Sequence, residues 1–549
     1  MRAFVLTTLL ACVMLGACKQ KIKTDLIIHH GVLYTVDSLF SVKQAMAVKD
    51  GKIISVGSDK EILDLYSANQ IIDANGNTIL PGFIDAHVHF FWYGESLFTV
   101  DLNECKSFEE VVDRVQAFSK EHPNEKLTKG RGWDQNEFSD KSFPTNTKLN
   151  EVFPETAVAL YRIDGHAVLA NQKALDFANI KPNQKISGGE IITEKGKLTG
   201  ILIDNGMKLF NESLPKPSKG EVAKWLETGQ TKCFELGLTA LTDCGLDYEE
   251  VDLLDSLQRA GVVDMPVYVM LSDKKKNYDR FLSQGPYKTD KIFVKGFKVF
   301  ADGALGSRGA CLLSPYEDKA GYSGFLLNTF SHFDSVAQVL STTDFQMCTH
   351  AIGDSANRVM AKIYNKHLQG QNDRRWRIEH AQIINENDFD LFGAASIIPS
   401  VQPTAAISDM DWADERLGLD RLRGGYAYQQ LLQQNGWIAL GTDFPIDDMN
   451  PIRTFYSAVV RKDSNGQPAA GFQFENRLTR EQALRGTTVW AAKAGFMEDE
   501  IGSLEIGKKA NFIILDQDIM KVNDQAILNT RVIATYLDGT KMFSNKVRK

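Results

Sequence analysis

The sequence has no concentration of positive charge. Its 549 residues contain 62 Lys and Arg against 70 Asp and Glu, a net charge of -8, and no basic cluster interrupts this balance. Nucleic-acid-binding proteins carry a stripe of Lys and Arg that follows the phosphate backbone, so nucleic acid is not expected as a partner. The chain is 43% apolar and 24% charged, as in an ordinary soluble globular protein. Its length allows a large catalytic domain with a smaller companion domain.

Cysteine is also scarce and scattered. Beyond residue 18 the cysteines are Cys105, Cys233, Cys244, Cys311 and Cys348. Their wide, irregular spacing excludes both a disulfide framework and a zinc ribbon. We expect most of them to be buried as small apolar residues.

The first eighteen residues, MRAFVLTTLLACVMLGAC, differ from the rest of the chain. One early cation, Arg2, precedes an apolar stretch that is too short to span a bilayer. This segment resembles a bacterial lipoprotein signal, in which residues 1–17 are removed and Cys18 carries the lipid. The resemblance implies a lipid-anchored protein of the bacterial cell envelope, and Lys19 favours the outer membrane, facing the periplasm. The alternative is a plain secretory signal with a chance cysteine.

Short alternating strands occur at both ends of the chain. AMAVKDGKIISVG is typical of a hairpin that turns at Asp50-Gly51, and ATYLDGTKMF of one that turns at Asp538-Gly539. No repeat or low-complexity linker separates these ends from the middle. We therefore predict one small β-sandwich built from residues 24–80 and 500–549.

The middle of the chain, 81–499, alternates short apolar runs with helical segments, which is the pattern of βα units around a parallel sheet. The eight runs are FIDAHVH, GLTALTD, PVYVML, GFKVFAD, FQMCTHA, WRIEHA, IIPSVQ and WIALGTD. Eight such strands predict an α/β fold, the (β/α)8 barrel, with its active site at the carboxyl ends of the strands. The first two runs are far apart, which predicts an inserted subdomain at about 95–230.

Residues that bind metal ions stand at the ends of these runs. His87 and His89 leave the first strand on one face, because alternate side chains of a strand point the same way, with Asp85 beneath them. The other residues at or near run ends are Lys298, His350, His380 and Asp443. Any one of these histidines alone would be read as a structural residue. Four of the chain's 10 histidines at strand ends together predict a metal centre.

This order of residues resembles the amidohydrolase superfamily, and more narrowly its YtcJ-like branch, which includes N-substituted formamide deformylases. The resemblance runs from about residue 25 to the C-terminus. The motifs that carry it are GFIDAHVH, DGHAVLAN, KVFADGALGSR, THAIGD, RIEHAQ and GTDFP. One departure is Asn511, where the family has an aspartate.

The resemblance implies a binuclear centre. His87, His89 and Asp443 would hold one ion, and His350 and His380 the other. Lys298, carboxylated by CO2 to a carbamate, would bridge them. Imidazole and carboxylate ligands suit two zinc ions, while iron, manganese and nickel stay open.

The chemistry expected of such a centre is attack by a metal-bound hydroxide on an acyl carbon. Asp443 would take the proton of the water and pass it to the leaving amine. A role for Asp443 in ligation alone is the alternative.

The inserted subdomain is expected to supply the pocket for a small-molecule substrate. In RGWDQNEF, Trp133 offers an apolar wall and Asp134 a hydrogen bond, and His166 of RIDGHAVLAN offers another. Gln402, which ends the seventh run, is a further candidate contact. The hairpin GGEIITEKGKLTGIL is a candidate lid. For His166 an ordinary loop histidine is the alternative, and for Arg308 of GALGSR a surface cation.

The sequence therefore predicts a metal-dependent amidohydrolase that cleaves a carbon–nitrogen bond other than a peptide bond, in an N-acyl or N-formyl amine. Deamination, cyclic amide hydrolysis and ester hydrolysis are alternatives on the same scaffold. A catalytically silent solute-binding lipoprotein is the alternative outside enzymes, and the complete set of six ligands argues against it.

Overall fold

The structure is a computed structural model that describes residues 20–123, 125–182 and 184–545. The predicted signal, 1–17, and the predicted lipidation site, Cys18, lie outside the described residues. Both stay predictions from the sequence.

Strands of the described residues fall into four sheets. In chain order they are β1 (Ile22–His29), β2 (Val32–Tyr34), β3 (Val42–Lys43), β4 (Ala45–Lys49), β5 (Lys52–Gly57), β6 (Tyr66–Asp73), β7 (Thr78–Pro81), β8 (Phe83–Val88), β9 (Val100–Asp101), β10 (Leu127–Trp133), β11 (Ala157–Arg162), β12 (Ala167–Ala170), β13 (Gly189–Glu194), β14 (Lys197–Asp204), β15 (Leu238–Leu246), β16 (Val267–Ser272), β17 (Tyr287–Lys288), β18 (Ile292–Phe300), β19 (Gln346–Ala351), β20 (Arg377–His380), β21 (Ile398–Val401), β22 (Ala439–Leu440), β23 (Phe512–Leu515), β24 (Val532–Leu537) and β25 (Thr540–Ser544).

Helices lie mainly between the strands of the middle segment. In chain order they are α1 (Asp59–Leu65), α2 (Phe90–Ser96), α3 (Phe108–Glu121), α4 (Thr147–Val152), α5 (Gln172–Phe177), α6 (Asn205–Glu212), α7 (Lys219–Glu235), α8 (Tyr248–Arg259), α9 (Lys275–Gln284), α10 (Phe330–Ser341), α11 (Asp354–Leu368), α12 (Asp390–Ala394), α13 (Pro403–Ser408), α14 (Ala413–Leu422), α15 (Tyr428–Asn435), α16 (Pro451–Val460), α17 (Arg480–Gly486), α18 (Val489–Ala494) and α19 (Asp524–Ile527).

The central sheet is a nearly closed barrel of eight parallel strands, in the order β8, β15, β16, β18, β19, β20, β21 and β22. The predicted barrel is confirmed, and each predicted run supplies one strand. The barrel closes where the Asp443 amide donates to the His87 carbonyl at 2.8 Å. Gly441 permits this approach, because a Cβ at that position would lie 2.7 Å from the His87 amide nitrogen.

Strands from both ends of the chain form two further sheets. One sheet has the order β5, β4, β1 and β6, and the next has the order β25, β24, β23, β7, β2 and β3. β7 and β23 pair antiparallel, with Leu80 opposite Ile513. Their apolar faces share a core in which Phe512 stacks on Tyr536 with the ring centroids 4.3 Å apart. The two predicted hairpins are confirmed, since β4 pairs with β5 and β24 with β25.

The chain between β8 and β15 forms a six-stranded sheet of its own, in the order β13, β14, β12, β11, β10 and β9. It has separate apolar cores on its two faces. The hairpin considered as a lid is β13 and β14, and β14 pairs with β12 inside this sheet. The hairpin is therefore part of the insertion's framework rather than a free flap.

No helix within the described ranges 20–123, 125–182 and 184–545 combines the length and the apolar composition that crossing a bilayer requires.

Candidate metal centre

The carboxyl ends of the barrel strands bring the six predicted ligands together. His87 lies on β8 and His89 just after it, Lys298 on β18, His350 on β19 and His380 at the end of β20, and Asp443 follows β22. All six are buried, with no more than 9% of any residue exposed. The parallel arrangement is what places these distant residues in one layer, because all eight strands end at the same side of the barrel.

Asp443 is the centre of this group. Its Oδ1 lies 3.3 Å from His89 Nε2 and 3.5 Å from His87 Nε2. Its Oδ2 lies 4.0 Å from His380 Nδ1. One carboxylate therefore faces imidazoles from two different strands.

Lys298 and His350 complete the layer. Lys298 Nζ lies 3.1 Å from His87 Nε2. The His350 ring lies 4.6 Å from the His380 ring, centroid to centroid. Lys298 thus stands beside the HxH pair, while His350 stands beside His380.

The backbone is bent where two of these residues enter the barrel mouth. His380 has φ 71 and Asp443 has φ 64, values in the left-handed region that non-glycine residues seldom adopt. On β20, Arg377 and Glu379 already face the interior, so regular alternation would turn His380 outward. The left-handed turn at His380 directs the ring inward instead, and such turns cluster at functional sites.

These residues fit a divalent metal ion. His350 Nε2 and Asp443 Oδ1 are buried, and neither has a hydrogen-bond partner among the described residues. Buried polar atoms are nearly always hydrogen-bonded. Two buried atoms without a partner in the same group of residues therefore indicate that a ligand binds there. Atoms of His87, His89 and Asp443 lie within 4.8 Å of one another. Three imidazole or carboxylate ligands at that spacing suit zinc or a similar ion.

Burial sets the charge of this group. It lowers the pKa of His87, His350 and His380, and it lowers the pKa of His89 to about 4. The four rings are therefore neutral at pH 7 and have a lone pair to offer. Burial alone would raise the pKa of Asp443, but the imidazoles around it outweigh this effect and hold that pKa well below its usual range.

Two buried residues of this site were not predicted. Glu379 Oε2 lies 2.5 Å from His87 Nδ1, and Glu379 Oε1 lies 2.7 Å from Arg377 Nε. Glu379 and Arg377 are fully buried. The Glu379 carboxylate accepts a hydrogen bond from the Nδ1–H of His87. This leaves the lone pair of Nε2 free on the side of Asp443 and Lys298. The signal in the sequence was the charged pair inside the apolar run WRIEHA, because a buried charge requires a partner.

A cavity of about 140 Å³ opens onto this layer. Among the residues that line it are His350, His380 and Asp443 of the layer, and also Asp134, His166 and Gln402, three of the four predicted substrate contacts. A larger groove of about 600 Å³ lies on the insertion, between the β13–β14 turn and the starts of α4 and α5. None of the predicted site residues lines that groove, so the smaller cavity is the candidate site.

Trp133 is not among the residues that line the cavity, and it does not form the apolar wall expected of it. It is 1% exposed, packs in the core of the insertion, and donates its indole N–H to the Leu160 carbonyl at 2.7 Å. Its neighbour Asp134 faces the cavity instead. The aromatic ring serves the insertion's own fold, since that sheet needs large apolar side chains for its core.

The insertion contributes two polar pairings at the cavity. Arg162 is buried, donates to Gln135 Oε1 at 2.7 Å, and pairs with Asp134 and Asp164. His166 Nδ1 lies 2.6 Å from Asp204 Oδ1, and the His166 ring lies 5.1 Å from that of His350.

Asp164 and Asp204 were not singled out in the sequence. Arg308, for which two roles were open, pairs with Asp318 at 2.8 Å and is not among the residues that line the cavity.

Comparison with known proteins gives the same picture. The model of the amidohydrolase family matches residues 70–543. The putative amidohydrolase YtcJ of Bacillus subtilis is 28% identical over 522 residues, which cover 93% of this chain and 98% of that protein. The N-substituted formamide deformylase of Arthrobacter pascens is 24% identical over 550 residues, which cover 94% of this chain and 97% of that protein.

A solved structure has the same fold. The metal-dependent hydrolase from Pyrococcus horikoshii superposes with a TM-score of 0.75 at 27% identity, covering 91% of this chain and 99% of that one. Family and fold therefore agree over nearly the full length of both chains.

Proposed function

The chain belongs to the amidohydrolase family of metal-dependent hydrolases, and from that premise we propose that it hydrolyses a carbon–nitrogen bond other than a peptide bond, in an N-acyl or N-formyl amine. The observation that carries the proposal is the buried Asp443 carboxylate. It faces three imidazoles and lines the cavity, and one of its oxygens has no hydrogen-bond partner among the described residues.

We propose His87, His89 and Asp443 as ligands of one ion and His350 and His380 as ligands of a second. Lys298, as a carbamate, would bridge them. The distances that support this set are the 3.1 Å from Lys298 Nζ to His87 Nε2 and the 3.3 Å from Asp443 to His89. Two zinc ions suit these ligands and, when bound, would polarise a carbonyl and acidify water.

We propose Asp443 as the group that moves the proton. Its low pKa keeps it ionised at pH 7, so it would accept a proton from water in the cavity as a weak base and release it readily. Amines leave readily only when protonated, and Asp443 would deliver that proton to the leaving nitrogen. Glu379 holds His87 in the tautomer that presents Nε2.

His166, which lines the cavity with its ring 5.1 Å from that of His350, would bind the substrate. Burial would lower its pKa, but contact with Asp204 outweighs burial and raises it. With Nδ1 turned to Asp204, the Nε2–H of a protonated ring can donate to an oxygen in the cavity. Gln402 and Asp134 supply further polar contacts along the wall.

Small size and charge define the substrate class. The cavity of about 140 Å³ accepts a compact group. The one arginine in its lining, Arg162, is already paired with Asp134 and Asp164. No unpaired arginine or lysine stands among the described residues of the lining to bind a phosphate-rich substrate, so a neutral or weakly charged amide is the better match.

The envelope location is proposed from the sequence of residues 1–18. A lipid on Cys18 would make the membrane a partner of this chain and place the enzyme on the periplasmic side of the outer membrane.

The test is a panel of N-formyl amines, N-acyl amines, cyclic amides, amino-purines, esters and phosphoesters, offered to metal-replete enzyme. We expect turnover of the N-formyl or N-acyl amines, with release of amine. Asp443→Asn should lose turnover while its circular dichroism matches the parent, and Asp448→Asn, an exposed neighbour, should keep full activity. Activity confined to phosphoesters or to amino-purines would replace the proposal, and silence across the panel with retained binding would favour a solute-binding role.

A further inference from the structure

Two adjacent histidines at the end of β1 share one side of the chain. His29 ends the strand and His30 follows with φ 53. Neighbouring side chains of a regular strand point to opposite faces. The left-handed turn at His30 cancels that alternation, and the two rings stand 4.5 Å apart, centroid to centroid.

Two carboxylates face the same point. Asp73 lies on β6, directly opposite His29 in the parallel pair of β1 and β6, and its Oδ2 is 3.2 Å from His30 Nδ1. Asp59, the first residue of α1, accepts from the His30 amide through Oδ1 at 2.7 Å. Its other oxygen, Oδ2, lies 3.7 Å from His30 Nε2.

Ion pairing of His30 with these carboxylates does not account for His29. The Nδ1 atom of His29 is buried and has no hydrogen-bond partner among the described residues. Atoms of His29, His30 and Asp59 lie within 4.8 Å of one another. An unpaired imidazole nitrogen beside a second imidazole and a carboxylate is the donor set of a transition-metal ion.

We propose that His29, His30 and Asp59 bind a divalent transition-metal ion of the zinc class, separate from the barrel centre. Zinc takes imidazole nitrogens at about 2.0–2.1 Å and carboxylate oxygens at about 2.0–2.2 Å, so ligand atoms lie about 3.4 Å apart around it. The 3.7 Å between His30 Nε2 and Asp59 Oδ2 is close to that spacing. The His30 side chain is 55% exposed, which leaves room for water as a further ligand.

A bound ion would join two elements near the N-terminal end of the described chain, the strand β1 and the helix α1. His29 and His30 end β1, and Asp59 begins α1, which packs on the sheet of β1 through the buried Ile62. Ligands contributed by separate segments couple metal binding to folding, so occupancy should stabilise the sheet.

The experiment is equilibrium dialysis of tag-free, metal-replete enzyme against buffered Zn²⁺, with bound metal measured by mass spectrometry. His30→Asn is the first variant, because Asn tolerates the left-handed backbone. Asp59→Asn is the second, since its amide oxygen can still accept from the His30 amide. His122→Ala is the control, another exposed histidine with a carboxylate neighbour, 3.8 Å away on Glu125.

We expect the parent and His122→Ala to bind one Zn²⁺ more than either asparagine variant, or to bind it at least tenfold more tightly. The melting temperature of the parent should rise with Zn²⁺ beyond the level of the asparagine variants, with hydrolytic activity the same in all four proteins. Equal zinc content in the parent and both asparagine variants would overturn the proposal. Equal loss in His122→Ala would reduce it to unspecific binding by surface histidines.

Discussion

His87 and Glu379 form a fully buried pair, with His87 Nδ1 2.5 Å from Glu379 Oε2. β8 carries the ring and β20, three strands away across the closing edge of the barrel, carries the carboxylate. Glu379 in turn is held by Arg377, which also donates to Ser400 Oγ at 2.7 Å. The Nε2 atom of His87, which we propose as a metal ligand, is therefore held in place by a chain of contacts that extends through the barrel interior.

Glu379→Gln should weaken metal binding without removing a ligand. Loss of such a supporting carboxylate typically costs about 10–100-fold in metal affinity or activity. It also leaves Arg377 without its buried counter-charge, so the free energy of unfolding should fall by about 3 kcal/mol or more. Metal affinity measured with a competing chelator, at a temperature where both proteins are folded, checks the first effect. Glu386→Gln, at an exposed position, is the control, and equal affinity in both variants would contradict the role given to Glu379.

Lys298→Ala should remove the bridge of the proposed binuclear centre. The parent is expected to bind about two metal equivalents per chain at this centre, and the variant to lose both together with activity. Added formate or acetate should restore part of each, since a small carboxylate can occupy the space of the carbamate. Lys295→Ala, on the same strand but with its Nζ 4.4 Å from the centroid of the Phe496 ring and away from the predicted ligands, should keep metal and activity. If Lys298→Ala bound one ion tightly and kept full activity, Lys298 would not be a bridging ligand and the enzyme would work with a single ion.

His166→Gln should impair the reaction but not the metal. A lost hydrogen bond from a charged donor costs about 1.5–3 kcal/mol, which corresponds to about a 10–100-fold decrease in kcat/KM. Asp204→Asn should act in the same direction and lower the pKa of the basic limb of kcat/KM. His332→Gln is a matched control, because His332 has the same 2.6 Å contact with an aspartate, Asp273, but does not line the cavity. Unchanged kinetics in His166→Gln would exclude the ring from substrate binding.

Cys18→Ser should release the protein from the membrane fraction. The hydroxyl cannot be modified by the lipid transfer expected at Cys18, and no other anchor is proposed. Fractionation of cells that express the parent and the variant is the measurement, with labelled palmitate as the check on lipidation. A variant as firmly membrane-bound as the parent would rule out the lipoprotein interpretation.

The barrel could be predicted because its strands are buried on both faces and therefore read as short apolar runs with helical segments between them. The candidate ligands stand at or near the carboxyl ends of their runs, and all strands of such a barrel end at the same mouth. His350 and Asp443 could therefore be assigned to one site before any distance between them was known. The texture of the two chain ends predicted that both contribute to one small β-sandwich, but it did not give the pairing of β7 with β23.

Other features depend on contacts that a sequence does not display. Trp133 and Asp134 are neighbours, yet one lies in the insertion's core and the other in the cavity. Which of the two side chains faces the cavity depends on how the insertion packs against the barrel. Glu379 was visible only as an acid within a strand, and its partner His87 lies in a different part of the chain. Asp204 gave no signal, because its role rests on the 2.6 Å contact with His166.

The pairing of β7 with β23 also has a consequence for biosynthesis. Leu80 leaves the ribosome 433 residues (513 − 80) before its partner Ile513. In the interval Leu33 and Ile79 have no Phe512 to cover them. Contacts between such distant segments form slowly, and apolar strands that wait uncovered are prone to aggregate. The nascent chain thus carries an incomplete sheet while the whole barrel is being made, and a chaperone that shields strand edges would help it most in that period.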